Sequence, residues 1–177
     1  LFGPPVEIVG IDELEAGVHV ARPRLRIVPV CGAPLDLTLV WRRLEEALVE
    51  SPERNRLIVR EALRLLGEVG SVLILVRLLR HGELLRGLFR EAGVEAPFLT
   101  GKMGAAERHG ILRAFREAPR GILIGTEVLS VGVDLPRLGG LVLACGQHAR
   151  VGTLQKVGRV MRVSPGGGPC VRKVVDF

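Results

Sequence analysis

The chain contains few aromatic residues and few cysteines. Aromatic residues make up 3% of its 177 positions, with no tyrosine, which disfavours recognition of nucleic-acid bases by stacking. The three cysteines, Cys31, Cys145 and Cys170, form no Cys-x-x-Cys pair, which argues against a disulfide framework and against a zinc site. We therefore expect no metal site, and we expect the cysteines to be small buried hydrophobic residues in a reducing compartment.

Long apolar runs and targeting signals are also missing. No apolar run reaches the roughly 18 residues that a membrane-spanning helix needs. The first five residues, Leu-Phe-Gly-Pro-Pro, lack the basic segment followed by an apolar one that marks a signal peptide. These absences predict a cytoplasmic protein without a membrane partner. Because the chain does not begin with Met, we expect it to be a domain excised from a longer protein.

Positive charge and apolar residues are abundant. The formal net charge is +6, and arginine carries almost all of it, since the chain has only three lysines. An excess of arginine favours a polyanionic partner such as nucleic acid. Solvated helix faces, such as Arg42-Arg43 and residues 54–56, could account for part of this excess. The apolar fraction of 47% is ample for one hydrophobic core, and this length fits a single domain.

The order of the predicted elements indicates an α/β fold. Residues 1–24 are rich in Gly and Pro and are interpreted as a connector, followed by one domain at 25–177. Continuous rather than alternating hydrophobicity in the strands predicts a doubly wound, mainly parallel sheet flanked by helices. Strands are predicted at 25–30, 71–76, 96–99, 121–125, 141–145 and 170–175, and helices at 37–49, from Ser51 onward, 83–92, 105–118 and 153–163.

Candidate binding residues follow the strands, because ligands of such sheets bind beyond the carboxyl ends of the strands. Thr100, Gly101 and Lys102 follow the strand at 96–99 and suit contact with a phosphodiester backbone, although a plain strand-to-helix turn explains them better in isolation. Thr126 ends the next strand, where its hydroxyl could hold a phosphate oxygen. Further on, Gly132 lets the backbone approach a ligand, and Asp134 offers a carboxylate to a ribose hydroxyl or a basic side chain.

A candidate phosphate clamp lies near the end of the chain. Helical spacing puts Gln155, Arg159 and Arg162 on one helix face, and Gly158 leaves room for close approach of a ligand. Two guanidinium groups on one face offer forked donors to phosphate oxygens. An ordinary exposed basic helix explains the spacing equally well.

The sequence has no phosphate loop of the form Gly-x-x-x-x-Gly-Lys-Ser/Thr, and no Asp-Glu-x-His or Asp-Glu-Ala-Asp run that could hold Mg²⁺. We therefore predict that this chain alone does not hydrolyse ATP. No Gly-x-Gly-x-x-Gly follows a strand either, which disfavours a dinucleotide-binding enzyme.

Taken together, these segments resemble motifs IV, V and VI of the C-terminal helicase domain of superfamily 2, the second of two RecA-like motor domains. The resemblance is close over residues 72–177, and residues 1–30 are loosely similar to the connector of phage-type and repair-type members. Lys156 occupies a position where many members have Arg, and residues 127–131 differ from the commonest sequence of motif V. The residues that carry the resemblance lie at 72–82, 99–108, 115, 122–126, 132–136 and 155–162.

The resemblance implies a role for each candidate. Arg159 and Arg162 would be arginine fingers that reach ATP, and Gln155 would couple nucleotide to nucleic acid. The residues implied near the nucleotide are Gly132, Asp134 and Gly158, and those implied along the track of one nucleic-acid strand are Arg77, Thr100, Gly101, Lys102 and Thr126. ATP with Mg²⁺ would be bound mainly by a missing N-terminal RecA-like domain, and the nucleic acid would be DNA in preference to RNA. The alternative is a non-catalytic nucleic-acid-binding or regulatory module with the same fold.

Overall fold

A computed structural model describes residues 22–30, 41–126, 135, 137–145 and 171–177. These residues contain six strands and four helices. In chain order they are β1 (Arg22–Ile27), α1 (Trp41–Glu50), α2 (Pro52–Val69), β2 (Ser71–Val76), α3 (Leu79–Glu91), β3 (Phe98–Leu99), α4 (Ala105–Glu117), β4 (Gly121–Thr126), β5 (Gly140–Leu143) and β6 (Val171–Asp176).

The six strands form one parallel sheet in the order β1-β6-β5-β2-β4-β3. Strand β2 lies near its centre, paired with β4 on one side and β5 on the other. The predicted α/β fold with a doubly wound parallel sheet is confirmed. Because all strands run the same way, their carboxyl ends meet at a single edge of the sheet, which we call the carboxyl edge.

Helices cover both faces of this sheet, as the continuous hydrophobicity of its strands predicted. On one face, Val72, Ile74 and Val76 of β2 pack in a core cluster with residues of α2 and α3. On the other face, Leu99 and Leu123 pack with Leu112 of α4. Burial of apolar side chains on both faces is the arrangement that a parallel sheet requires.

Helix α2 begins where its sequence signals predict. Ser51 accepts a hydrogen bond from the Arg54 backbone N–H at 3.3 Å, and Pro52 occupies the first turn. Glu53 adds a negative charge beside the helix N-terminus. The helix ends at Gly70, whose φ of 78° is a conformation that residues with a Cβ rarely adopt.

Several element boundaries differ from the predictions. Strand β1 starts at Arg22 rather than at residue 25, so three residues of the predicted connector belong to the sheet. Its ends are set by pairing with β6, which lies far away in sequence. Strand β3 is only two residues long, because only Phe98 and Leu99 pair with β4. Helix α3 begins at Leu79, four residues before the predicted start. Leu78, at the N-cap position, makes no side-chain capping hydrogen bond, so no capping residue in the sequence marks this start.

Candidate nucleic-acid interface

The carboxyl edge brings three groups of candidate residues together. Val76 pairs with Thr126, and Leu99 pairs with Gly125, so β2, β4 and β3 end side by side. Arg77 follows β2, Thr126 ends β4, and Thr100 follows β3. Since neighbouring strands lie about 4.8 Å apart, these three backbone positions span roughly 10 Å along the edge. We call residues Arg77, Thr126 and 100–102 the edge row.

Thr126 is the buried member of the edge row. It is 6% exposed, and its Oγ1 has no hydrogen-bond partner among the described residues. A buried hydroxyl without a partner is costly and calls for an explanation in function or in a bound group. The placement suits a hydroxyl that donates to an oxygen atom arriving at the edge of the sheet.

Arg77 is the exposed cation of the edge row. Its side chain is about half exposed, and its Nε lies 3.1 Å from Glu45 Oε1 of helix α1. The two groups form an ion pair, but Glu45 Oε1 has no well-aligned hydrogen bond in the part of the chain that is described. A half-exposed guanidinium held by one carboxylate keeps donors free for a phosphate.

Thr100, Gly101 and Lys102 lie in a turn that leads from β3 to α4. The Thr100 carbonyl accepts a hydrogen bond from the Met103 backbone N–H at 3.3 Å, and Arg108 Nη2 donates to the Met103 carbonyl at 3.1 Å. Thr100 is half-buried, whereas Gly101 and Lys102 are exposed. The turn thus exposes the Lys102 side chain and the backbone of Gly101 at the carboxyl edge.

The remaining candidates lie outside the described residues. These are Gly132 and Asp134 of the predicted motif V, and Gln155, Gly158, Arg159 and Arg162 of the predicted motif VI. The helix predicted at 153–163 falls in the same part of the chain. Cys31 and Cys170 also lie outside the described residues, whereas Cys145 is described and is buried.

A buried polar cluster lies beneath the carboxyl edge, next to the edge row. Its largest member is Arg54 of helix α2, which is 1% exposed. Arg54 Nη2 donates to the Ala144 carbonyl at 3.0 Å, while its Nε and Nη1 have no partner among the described residues. Burial lowers the pKa of Arg54 from its ordinary value, and the nearby Cys145 and Asp176 oppose that shift. The guanidinium nevertheless stays charged at physiological pH.

Asn55 joins two helices within the same cluster. Its Nδ2 donates to the Val49 carbonyl at the end of α1, at 2.8 Å, and its Oδ1 lies 2.9 Å from His81 Nε2 in α3. Because an amide oxygen only accepts, the His81 proton sits on Nε2. Burial, followed by the positive charges of Arg54 and Arg80, lowers the pKa of His81 to about 3. His81 is therefore neutral at pH 7.

The expectation that residues 54–56 belong to a solvated helix face is wrong for Arg54 and Asn55. Both are 1% exposed, whereas Arg56 is exposed. The signal was present in the helical periodicity, because Arg54 lies four residues before Ile58 and eight before Ala62, both of which face the core. Because charged residues are rarely buried, residue type alone does not predict this position.

The described ranges contain neither a candidate metal cluster nor a candidate membrane span. No group of three or more His, Cys, Asp or Glu side chains there is arranged to hold a metal ion. No helix there is both long enough and apolar enough to cross a membrane.

Comparison with known families gives a match to the helicase conserved C-terminal domain over residues 54–164. The chain belongs to this family. The match spans more than half of the chain and includes the edge row, the buried polar cluster and the predicted motif VI. The family is that of the second motor domain of superfamily 2 helicases, which confirms the resemblance drawn from the motifs.

Three relatives illustrate the range of the family. A putative helicase of Sulfolobus islandicus filamentous virus is 28% identical over 131 residues, which are 74% of this chain and 23% of that protein. The ATP-dependent RNA helicase DBP5 of Saccharomyces cerevisiae is 31% identical over 100 residues, 53% of this chain and 21% of that protein. The crystal structure of UvsW of phage T4, an ATP-dependent DNA helicase, matches with a TM-score of 0.65 and 22% identity.

The coverage in these comparisons shows how much of a helicase is present. The UvsW match covers 79% of this chain but 28% of the UvsW chain. The chain thus spans about a quarter of the length of the relatives that it resembles. Its fold is that of the second motor domain.

Proposed function

We propose that this chain is the C-terminal motor half of an ATP-dependent nucleic-acid helicase or translocase, and that its edge row contacts the phosphate backbone of one strand. The observation that carries the proposal is the juxtaposition of Arg77, Thr126 and residues 100–102 at one edge of a helicase-family sheet. A guanidinium, a buried hydroxyl without a partner among the described residues, and a turn that exposes a lysine suit phosphate groups rather than bases. Binding should therefore be indifferent to base sequence.

The chemical step in this proposal uses residues of both motor domains. An N-terminal RecA-like domain would bind ATP with Mg²⁺, because this sequence has no phosphate loop and no acidic Mg²⁺ motif. Arg159 and Arg162 would neutralise the charge that develops on the transferred phosphoryl group, and Gln155 would link them to the nucleic acid. Gly132, Asp134 and Gly158 would lie near the nucleotide.

The nucleic-acid partner in this proposal is DNA in preference to RNA, in a cytoplasmic protein. The names of the relatives do not separate the two, since DBP5 is an RNA helicase and UvsW is a DNA helicase. None of the edge-row residues is aromatic, and in this proposal they contact phosphates only. The backbone of DNA and the backbone of RNA would therefore both fit the edge row. A direct comparison of DNA and RNA oligonucleotides of equal length decides the question.

A salt titration of single-strand binding by the full-length protein tests the role of Lys102. A cation that contacts a phosphate releases a counterion, so Lys102→Ala should reduce the slope of log affinity against log salt by roughly 0.7. The matched control is Arg90→Ala, which removes an exposed cation from the last turn of α3. That helix runs away from the carboxyl edge, so the control should leave the slope unchanged. Equal slopes for wild type and Lys102→Ala would contradict the proposed contact.

The same titration with Thr126→Val tests the buried hydroxyl. Valine keeps the volume of the side chain and removes only the donor. Affinity should fall by about 0.5–1.5 kcal/mol with an unchanged salt slope, because a neutral hydrogen bond releases no counterion. Two oligonucleotides of unrelated sequence should give the same result. Affinity that depends strongly on base sequence, or that neither substitution alters, would favour the regulatory-module alternative.

Loss of an arginine finger tests the catalytic half of the proposal. In the full-length protein, Arg159→Ala or Arg162→Ala should lower nucleic-acid-stimulated ATP hydrolysis by about 10³–10⁵-fold, since the finger stabilises charge only in the transition state. Single-strand affinity in the absence of ATP should change far less. If both variants fold and turn over within about threefold of wild type, the two arginines are no more than a solvated helix face.

A further inference from the structure

The ion pair between Arg77 and Glu45 joins the edge row to helix α1. Arg77 Nε lies 3.1 Å from Glu45 Oε1, and the two side chains are 46% and 11% exposed. The carboxylate is therefore the inner member of the pair, and the guanidinium is the member that solvent reaches. Glu45 Oε1 makes no hydrogen bond with the described residues, so charge attraction is what holds the two groups together.

Glu45 is held in place by the packing of its helix. Asn55 Nδ2 of α2 donates to the Val49 carbonyl at 2.8 Å, and Val49 is buried one helical turn after Glu45. Glu50, at the end of the same helix, pairs with Arg80 of α3 at 3.0 Å. Helix α1 is thus tied to both neighbouring helices. We therefore expect the Glu45 carboxylate to stay beside Arg77 when a ligand approaches the carboxyl edge.

The space beside the ion pair is too small for a phosphate group. Glu45, Arg54 and Arg77 help to line a cavity of about 10 Å³, which has room for roughly one water molecule. A phosphate group is larger than a water molecule, so it can reach Arg77 only from the exposed side of the guanidinium. The carboxylate and the phosphate then share one cation, with the carboxylate on its inner side.

Glu45 weakens any contact that a phosphate makes with Arg77. A guanidinium has five N–H donors, so it can contact both anions at once, but the two anions repel each other across it. The carboxylate that loses part of its partner also attracts a cation from solution, which offsets the counterion that the phosphate releases. Arg77 of wild type should therefore contribute less than the roughly 0.7 in salt slope that a free cation contributes on a single strand.

We propose that Glu45 is an internal competitor for nucleic-acid phosphates at Arg77, and that it thereby limits the affinity of the edge row for a strand. This inference rests on the proposed function, because it needs Arg77 to contact the phosphate backbone. The sign of the effect separates it from a structural role. Loss of a carboxylate that only supports the fold would weaken binding or leave it unchanged, whereas loss of a competitor strengthens binding.

The experiment is a salt titration of binding to a single-stranded DNA oligonucleotide, without ATP, by the full-length protein. The variants are Glu45→Gln, Arg77→Ala and the double variant. The matched control is Glu50→Gln, which removes the same charge from the same helix. Glu50 is 67% exposed and pairs with Arg80, which is not part of the edge row. The midpoint of unfolding in urea shows whether each variant is folded.

Glu45→Gln should bind the oligonucleotide about twofold to fivefold more tightly than wild type, because an exposed ion pair competes with about that strength. Its salt slope should be steeper by up to about 0.7. Glu50→Gln should match wild type. When Arg77→Ala is already present, adding Glu45→Gln should give no gain. Equal or weaker binding by folded Glu45→Gln would overturn the inference, and so would an equal gain from Glu50→Gln, since net charge alone would then explain it.

A second variant decides the case if Glu45→Gln fails to fold, since Arg54 is buried beside the same cavity. Glu45→Asp keeps the charge and withdraws it from Arg77 by one methylene group. A folded Glu45→Asp protein that binds more tightly than wild type supports the competition, and one that binds equally or less tightly overturns it. Failure of the proposed contact gives a different result. In that case Arg77→Ala changes neither affinity nor salt slope, in wild type or beside either substitution of Glu45.

Discussion

Two neighbouring residues of α2, Arg54 and Asn55, determine the polar chemistry beneath the carboxyl edge. Each is fully buried, and each joins α2 to elements that are distant in sequence. Both polar ends of the Asn55 side chain are hydrogen-bonded, to His81 and to the Val49 carbonyl. Among the described residues, Arg54 donates only to the Ala144 carbonyl. Asn55 is therefore expected to contribute to stability, because well-satisfied polar networks stabilise a fold and unsatisfied buried charges do not.

His81 should make the stability of the fold depend on pH. Its folded-state pKa of about 3 lies below the value of about 6.5 that is usual in an unfolded chain. The unfolded state therefore binds the proton first as pH falls. The contribution of neutral His81 is fully present above pH of about 6.5 and is lost as pH falls from there toward 3. Between pH 7 and pH 5 we expect a loss of about 1–2 kcal/mol in the free energy of unfolding.

Urea unfolding at pH 7 and at pH 5 measures this loss. In His81→Gln the side chain cannot titrate, so the difference between the two pH values should shrink by most of that amount. His109→Gln is the control, because His109 is exposed on α4. If wild type and His81→Gln lose the same free energy between the two pH values, another group causes the dependence.

At the scale of the element, the contact of α3 with β3 depends on a glycine. A Cβ at Gly82 would overlap the ring of Phe98, whereas a Cβ at Gly87 of the same helix would meet nothing within 4 Å. Gly82→Ala should therefore destabilise the fold by about 1–3 kcal/mol through overpacking. Gly87→Ala should stabilise it by up to about 1 kcal/mol, because alanine has the better helix propensity.

Thermal or urea unfolding of these two variants tests the packing of α3. The double variant Gly82→Ala with Phe98→Leu adds a second check, because a smaller side chain at position 98 gives room to the new methyl group. It should be less destabilised than the sum of its two single variants. Equal effects of alanine at positions 82 and 87 would contradict the close approach of α3 to β3.

Elements that depend on local signals were predicted well. Ser51 and Pro52 mark the start of α2 as predicted, and the strand predicted at 71–76 agrees with β2 at both ends. Helix α3 was predicted to start too late because its buried face begins with His81 and Gly82, which do not read as apolar residues. The start of β1 was misplaced because only pairing with β6 defines it.

At the scale of the whole molecule, the chain has the fold of one helicase domain and spans about a quarter of the length of its relatives. Its sequence contains no phosphate loop. The isolated chain should show no ATP hydrolysis above background, even with saturating nucleic acid, because nothing in its sequence can cradle the phosphates and Mg²⁺. A phosphate-release assay on the purified chain, with the full-length protein as the positive control, measures this. Robust turnover by the chain alone would refute the division of labour between two domains.

The sequence by itself determined the class of the fold and the family. Runs of apolar residues fix a parallel sheet because both faces must be covered, and the order of motifs from Arg77 to Arg162 needs no coordinates to be recognised. The same sequence also placed Thr100, Lys102 and Thr126 after strands. These features are local, because residue type and spacing along the chain are enough to predict them.

Only the tertiary structure decided which of these residues are neighbours and which charges are buried. The order β1-β6-β5-β2-β4-β3 puts the ends of β2, β4 and β3 side by side, and no periodicity in the sequence encodes that order. The burial of Arg54 depends on Ala144, 90 residues away, coming within hydrogen-bond distance. Such contacts arise when distant segments pack together, so their physical cause lies in the packed core rather than in any local stretch of the chain.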